Sequence, residues 1–257
     1  MDGKVAIITG ATSGIGEATA RQFAQAGARV ALIGRRADRG KALEVELSEQ
    51  GADALYIQAD MTSADDIERM VATTLERWGR LDYAFNNAGM FGPEAAFHEY
   101  DDDVWDQWMD LNLKGVYRCM KFELRAMLET VQQLGTTACI VNNASIMGHR
   151  GSSYAGAAYA TTKHGVIGLT RQAAIEYVQQ NIRVNSVSPG PTVTEITAAT
   201  AALPAEAKQQ VIDDLLPIGR MGEADEVAAA VLFLCSDGAS MVTGHDMPVD
   251  GGQLIKL

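Results

Sequence analysis

The chain has 257 residues, 47% of them apolar and 21% charged, a balance that suits one large folded domain and argues against a disordered chain. A formal net charge of −12 argues against nucleic acid or an anionic membrane surface as the main partner, because both reward clustered lysine and arginine. Cys119, Cys139 and Cys235 are odd in number and far apart, so they suggest neither a disulfide framework nor a zinc site, and the four histidines show no metal-ligand spacing.

Taken in chain order, strand-like and helix-like patterns alternate. Short β-rich runs occur at residues 5–8, 29–33, 54–57, 81–85, 138–141, 182–187 and 246–249. Most are nearly continuous in apolar residues, as strands covered on both faces must be. Helical periodicity fills stretches such as residues 16–26, 64–78, 104–130 and 155–180. Parallel strands require such crossovers, so the expected fold is α/β, a doubly wound parallel sheet in a single domain. Asp101-Asp102-Asp103 precedes Val104, Trp105, Trp108 and Leu111 at helical spacing, which reads as an N-cap followed by a packing stripe. Residues 192–217, rich in alanine and threonine, read as a small helical flap between two late strands. The first strand begins at Val5 and no apolar run reaches the roughly 18 residues of a membrane span, so a cytoplasmic location is expected.

The first strand runs into Thr9-Gly10-Ala11-Thr12-Ser13-Gly14-Ile15-Gly16, and a helical pattern follows at once. Glycine is needed where backbone turns sharply and approaches a ligand closely. The N–H groups that open the next helix, aided by its dipole, then face a pyrophosphate. A glycine-rich turn can be merely structural, but this one lies between the first strand and first helix, where the motif requires it. No Lys-Ser/Thr pair follows the loop, which argues against a nucleotide triphosphatase.

Further along, Tyr159-Ala160-Thr161-Thr162-Lys163 places a phenol and an ammonium at i and i+4, on one helix face. A neighbouring positive charge favours phenolate, so the Tyr159 pKa is expected to fall. Such a pair is often only an amphipathic surface feature. Here a small-residue segment leads into the helix, and the preceding strand ends in Asn142-Asn143-Ala144-Ser145. A serine just past a strand's carboxyl end points into the crevice where ligands bind in this architecture.

Together these motifs resemble the short-chain dehydrogenase/reductase family over essentially the whole chain. The TGxxxGxG loop at Thr9–Gly16 is followed by Asn86-Asn87-Ala88-Gly89, similar to the family's NNAG motif. Asn112 matches the family's helix asparagine, Ser145 its serine, Tyr159 and Lys163 its YxxxK pair, and Pro189-Gly190 its PG turn. The resemblance implies hydride transfer between a nicotinamide cofactor and an alcohol or carbonyl carbon. Tyr159 would be the proton donor or acceptor, Ser145 would polarise the substrate oxygen, and Lys163 would hold the nicotinamide ribose. Asn112 would anchor a water that relays protons. Cofactor contacts are implied at Gly10, Thr12, Ser13, Gly14, Ile15 and Gly16, at Asp60, Met61, Asn87, Ala88 and Gly89, and at Pro189, Gly190, Thr192 and Thr194. A homotetramer built on the two long helices is expected. Ser145 and Tyr159 are 14 apart where the family commonly has one fewer, which puts an extra residue in the loop with His149, Arg150 and Tyr154. Position 144 is alanine where many relatives have a second serine.

NAD-preferring relatives place an aspartate at the end of the second strand. Gly34 stands there, followed by Arg35 and Arg36. A guanidinium can pair with a 2′-phosphate, so NADP(H) is favoured over NAD(H), the alternative being a solvated charge pair. His149, Tyr154, Met147, Met90 and Phe91 are candidates for the substrate pocket, and a small-molecule alcohol or carbonyl compound is the expected substrate. Two other readings stay open: a 3-oxoacyl thioester reductase, which basic residues beside the cleft would favour, and a nicotinamide-binding sensor without turnover.

Overall fold

The computed structural model describes residues 1–91, 95–151, 155–197 and 204–256. Among them are nine strands: β1 (Val5–Thr9), β2 (Arg29–Gly34), β3 (Ala54–Gln58), β4 (Tyr83–Asn86), β5 (Ala138–Asn143), β6 (Ile182–Pro189), β7 (Thr192–Val193), β8 (Gly222–Glu223) and β9 (Asp246–Val249). Seven of these form one sheet in the order β3-β2-β1-β4-β5-β6-β9, with every neighbouring pair parallel. The two-residue strands β7 and β8 pair only with each other and tie the base of the 192–217 segment to the segment that returns from it.

The continuous apolar character of the strands follows from burial on both faces. On β1, Val5 and Ile7 join the core on one side of the sheet, while Ala6 and Ile8 join the core on the other. The first core is completed by α3 (Ala64–Trp78), α5 (Val116–Leu134) and α6 (Ala157–Tyr177), through Ile67, Met127 and Val166 among others. The second is completed by α1 (Gly14–Gln25), α2 (Ala37–Glu49) and, after the short α4 (Asp102–Trp108) and α7 (Ala205–Leu215), by α8 (Ala224–Cys235). The chain is therefore a single Rossmann-like α/β domain. Helices α2 and α8 lie outside the four runs named from periodicity. No helix among the described residues is long and apolar enough to cross a membrane.

One expected helix is interrupted. The 104–130 stretch divides into α4, a π-helical turn over Met109–Gly115, and α5. Asp101 caps α4, its carboxylate accepting from the Asp103 and Val104 amides at 2.9 and 3.2 Å. The π turn inserts an extra residue per turn and re-aims the side chains after it. Gly115 ends it against β3's exit, where a Cβ would lie 2.7 Å from the Met61 carbonyl oxygen. An apolar stripe at i, i+3 and i+4 carries no trace of such an insertion, because the stripe stays apolar on both sides of it.

Because β1 sits between β2 and β4, the chain winds in opposite directions from it. A crevice opens at the carboxyl ends of the strands where that reversal occurs, the general ligand site of open α/β sheets.

Candidate active site

At the head of the crevice, Gly10 and Gly14 adopt positive φ values of +65° and +55°, a region that side-chain-bearing residues rarely enter. Ser13, the N-cap of α1, places no side-chain hydrogen bond on the helix amides, so the helix N-terminus faces the cleft with its donors uncapped. Gly16 turns away from the cleft and packs under the loop, where a Cβ would meet the Gly10 carbonyl oxygen at 2.2 Å and Asn87 Nδ2 at 2.6 Å. Neither contact is relieved by a rotamer change at residue 16. Gly16→Ala is expected to collapse the loop geometry and weaken dinucleotide binding by about 100-fold, read by calorimetric titration, with the far-ultraviolet spectrum retained.

The turn after β4 is pinned to this loop. Thr9 Oγ1 accepts from the Asn87 and Ala88 amides at 2.9 and 3.0 Å, and Asn87 Nδ2 donates to the Thr9 carbonyl at 3.0 Å. Asn143 Nδ2 donates to Asn87 Oδ1 at 2.9 Å. The Asn87 amide therefore holds the β1, β4 and β5 exits together. Asn86, its neighbour, points the other way into the core, onto Glu123 and Asn142.

Past β5, Ser145 opens a single 3₁₀ turn, and its Oγ accepts from the Met147 amide at 3.1 Å. Gly148 lets this turn lie against α6, since a Cβ there would be 2.8 Å from the Lys163 carbonyl. Tyr159 occupies the first turn of α6, with the Phe91 and Trp108 rings edge-on to it at centroid distances of 5.0 and 5.9 Å. Lys163, one turn on, is buried, lies 5.5 Å above the Tyr159 ring and donates to the Asn143 carbonyl at 2.7 Å.

The pKa of Tyr159 moves opposite to the expectation. Enclosure pushes the phenol up, and its hydrogen bond with the Ser145 hydroxyl opposes this only in part. Burial also drives the Lys163 ammonium down to about 8. The same desolvation that disfavours phenolate weakens the cation that was expected to stabilise it.

Asn112 lies in the π turn and is buried; its Oδ1 accepts from the Met90 amide and its Nδ2 donates to the Met90 carbonyl, both at 2.9 Å. It thus anchors the segment leading to Phe91. His149 departs from its expected place beside the substrate. Its Nε2 lies 2.7 Å from Asp246 Oδ2, and Ser186 and Ser188 donate to the other oxygen of the same carboxylate, so the ring is drawn toward β9. Tyr154 lies outside the described residues.

The cleft so formed has a volume of about 770 Å³, within the range of small-molecule sites. Gly10, Thr12, Ser13, Gly14, Ile15, Arg35, Arg36, Asp60 and Met61 line one end; Asn87, Ala88, Gly89, Pro189, Gly190, Thr192 and Thr194 line its length. Ser145, Tyr159 and Lys163 stand together with Phe91 and Met147, and Met90 and Leu215 also line the cleft. Asn112, Gly16 and His149 are outside the lining. Asn143, Glu195 and Leu215 line it without having been expected at the site; Glu195 is drawn there by Arg36 and Arg39, more than 150 residues away, a pairing no local pattern announces. The positive-φ glycines, the uncapped helix N-terminus and the size of the cleft fit a dinucleotide with a second small molecule beside it.

Such a fold and cleft define a dinucleotide-type oxidoreductase scaffold. Residues 10–253 match the family profile described as enoyl-(acyl carrier protein) reductase. The chain is 42% identical to the A-factor type gamma-butyrolactone 1′-reductase of Streptomyces virginiae, over 97% of this chain and 95% of that one. It is 37% identical to the cyclohexanol dehydrogenase of Acinetobacter sp. strain SE19, covering 100% and 97%. Its structure is similar to that of levodione reductase, with a TM-score of 0.92, 35% identity and 100% of both chains covered. It is also similar to the actinorhodin polyketide ketoreductase with NADPH, at a TM-score of 0.90, 35% identity and 98% coverage of each. The chain belongs to the short-chain dehydrogenase/reductase family of oxidoreductases.

Proposed function

We propose that this protein is an NADP(H)-preferring alcohol dehydrogenase or carbonyl reductase acting on a neutral, apolar small molecule that bears a secondary alcohol or ketone. The observation that carries this reading is the cluster of Ser145, Tyr159 and Lys163, packed with Phe91 and Met147 in a cleft whose lining also includes the apolar Met90 and Leu215. Relatives named for cyclohexanol and levodione support a cyclic substrate.

The nicotinamide cofactor would accept or deliver the hydride at the carbon. Tyr159, with its phenol held protonated, hands a proton to the carbonyl oxygen in reduction and takes it back in oxidation. The Ser145 hydroxyl hydrogen-bonds the same oxygen as charge develops there. Lys163 holds the nicotinamide ribose. Asn112 positions the Met90–Phe91 wall; with both of its amide atoms already engaged, a relay water at this point would rest on its main-chain carbonyl. Gly10–Gly16 and the α1 N-terminus would take the pyrophosphate, Asp60, Met61 and Asn87–Gly89 the adenosine, and Pro189, Gly190, Thr192 and Thr194 the nicotinamide side. NADP(H) preference is supported at Gly34, where a Cβ would lie 2.7 Å from Thr12 Cγ2, so the aspartate that selects NAD would have to displace the Thr12 side chain. Arg35 and Arg36 supply the cations, although Arg35 is largely exposed and lies 3.7 Å from Asp60.

Among the described residues, the substrate end carries no basic side chain besides Lys163, which weighs against a thioester whose carrier bears phosphate. Exposed Tyr117 on α5, Ile175 on α6 and Val178 just after α6 support these helices as the contacts of a homotetramer, and three free cysteines fit a reducing cytoplasm. The test is a panel of neutral secondary alcohols and ketones, cyclic and open-chain, offered with NAD and NADP in parallel while nicotinamide absorbance is followed. Turnover with cyclic ketones and NADPH is expected. No absorbance change with any compound and either cofactor overturns the reading.

A further inference from the structure

Glu195 stands just after β7, on the short turn Glu195–Thr197 at the base of the flap. Its Oε2 accepts from Arg36 at 2.8 Å, and its Oε1 accepts from Arg39 near the start of α2. Arg36 is itself clamped to the phosphate loop: it donates to Thr12 Oγ1 and to the Thr12 carbonyl at 3.2 Å and to Ser13 Oγ at 2.5 Å. Both Arg36 and Glu195 line the cleft. Two guanidiniums, one of them held by the hydroxyls of the loop, thus clasp one carboxylate at the rim. This is the donor set of an anion site, with the chain's own anion seated in it. The two arginines hold the Glu195 carboxyl below its ordinary range, so it remains ionised at neutral pH. The other charges nearby reinforce the picture: Glu17 and Asp38 act on Arg39, and Arg35 faces Asp60.

We propose that Glu195 is a specificity-determining residue for the coenzyme, an internal competitor that contends with a 2′-phosphate for Arg36 and Arg39 and so limits the preference for NADP(H) over NAD(H). A 2′-hydroxyl has no use for the second guanidinium, and its binding leaves the clasp closed. A 2′-phosphate displaces the carboxylate and frees the flap base from the phosphate loop. The proposal rests on the nicotinamide reading given above. Cutting the clasp separates this role from that of a purely structural latch. A latch that only holds the flap affects both coenzymes alike, whereas a competitor affects only the phosphorylated one.

The experiment is calorimetric titration of the full-length wild type, Glu195→Gln and Glu195→Ala with NADP⁺, NAD⁺, adenosine 2′,5′-bisphosphate and adenosine 5′-monophosphate. Because the pairs are partly exposed, both variants are expected to bind NADP⁺ and the bisphosphate about 5- to 10-fold more tightly. NAD⁺ and the monophosphate should change by less than about twofold. An unchanged ratio between phosphorylated and unphosphorylated ligands, or parallel weakening of all four, overturns the role of Glu195. If the wild type binds neither dinucleotide, the proposed function fails instead.

Discussion

Tyr159→Phe is expected to lower turnover by about 10³-fold while leaving coenzyme affinity within about threefold of the wild type. The substitution deletes one hydroxyl and nothing else. The ring keeps its edge contacts with Phe91 and Trp108, and Lys163 keeps its bond to the Asn143 carbonyl. What disappears is the proton that the substrate oxygen must gain or lose. With the phenol pushed up, it is protonated at neutral pH and ready as an acid for reduction. Oxidation requires it ionised, so the oxidation rate should climb as pH rises above neutrality. Steady-state kcat for both directions, with coenzyme titration alongside, checks this. Turnover within tenfold of the wild type would remove Tyr159 from the chemistry and favour a sensor that binds coenzyme without using it.

The second large effect lies in the core. Glu123 on α5 is fully buried and donates nothing in its ionised form; its Oε2 accepts from Asn86 Nδ2 at 2.9 Å, and its Oε1 has no hydrogen-bond partner among the described residues. Burial pushes its carboxyl up to about 7, the bond from Asn86 opposing in part. In the unfolded chain the group titrates near its ordinary value of 4.5. Between these values the folded protein holds a proton that the unfolded chain has released. Stability therefore falls as pH rises from about 4.5 to about 7 and levels off above that. The gap corresponds to about 3 kcal/mol. Glu123→Gln, isosteric with the protonated acid, removes the titration. Relative to the wild type, the variant should gain about 3 kcal/mol between pH 5 and pH 8 in denaturant melts. Parallel stability curves across that range would mean that Glu123 does not change protonation on folding.

The architecture and most of the cleft are legible in local patterns. Strands β1 to β6 and β9 can be read from apolar runs because burial on both faces leaves few polar positions, and that requirement acts residue by residue. The glycine loop can be read because positive φ is a steric property of single residues. The Tyr159–Lys163 pair can be read because helical geometry alone puts i and i+4 on one face.

The features that stay hidden depend on segments distant in sequence. Arg36 is separated from Glu195 by 159 residues, and His149 from Asp246 by 97; no pattern at either end announces the partner. The π turn holding Asn112 is invisible to periodicity, because the stripe before and after it is equally apolar. The direction of the Tyr159 shift reverses between sequence and structure for the same reason. A spacing reveals that an ammonium is near a phenol, but the cost of keeping either charged is set by the rings and walls that exclude water, and those arrive from β4, α4 and β5. Short-range sterics and periodicity are written into neighbouring residues, whereas desolvation and charge pairing arise only when remote segments meet.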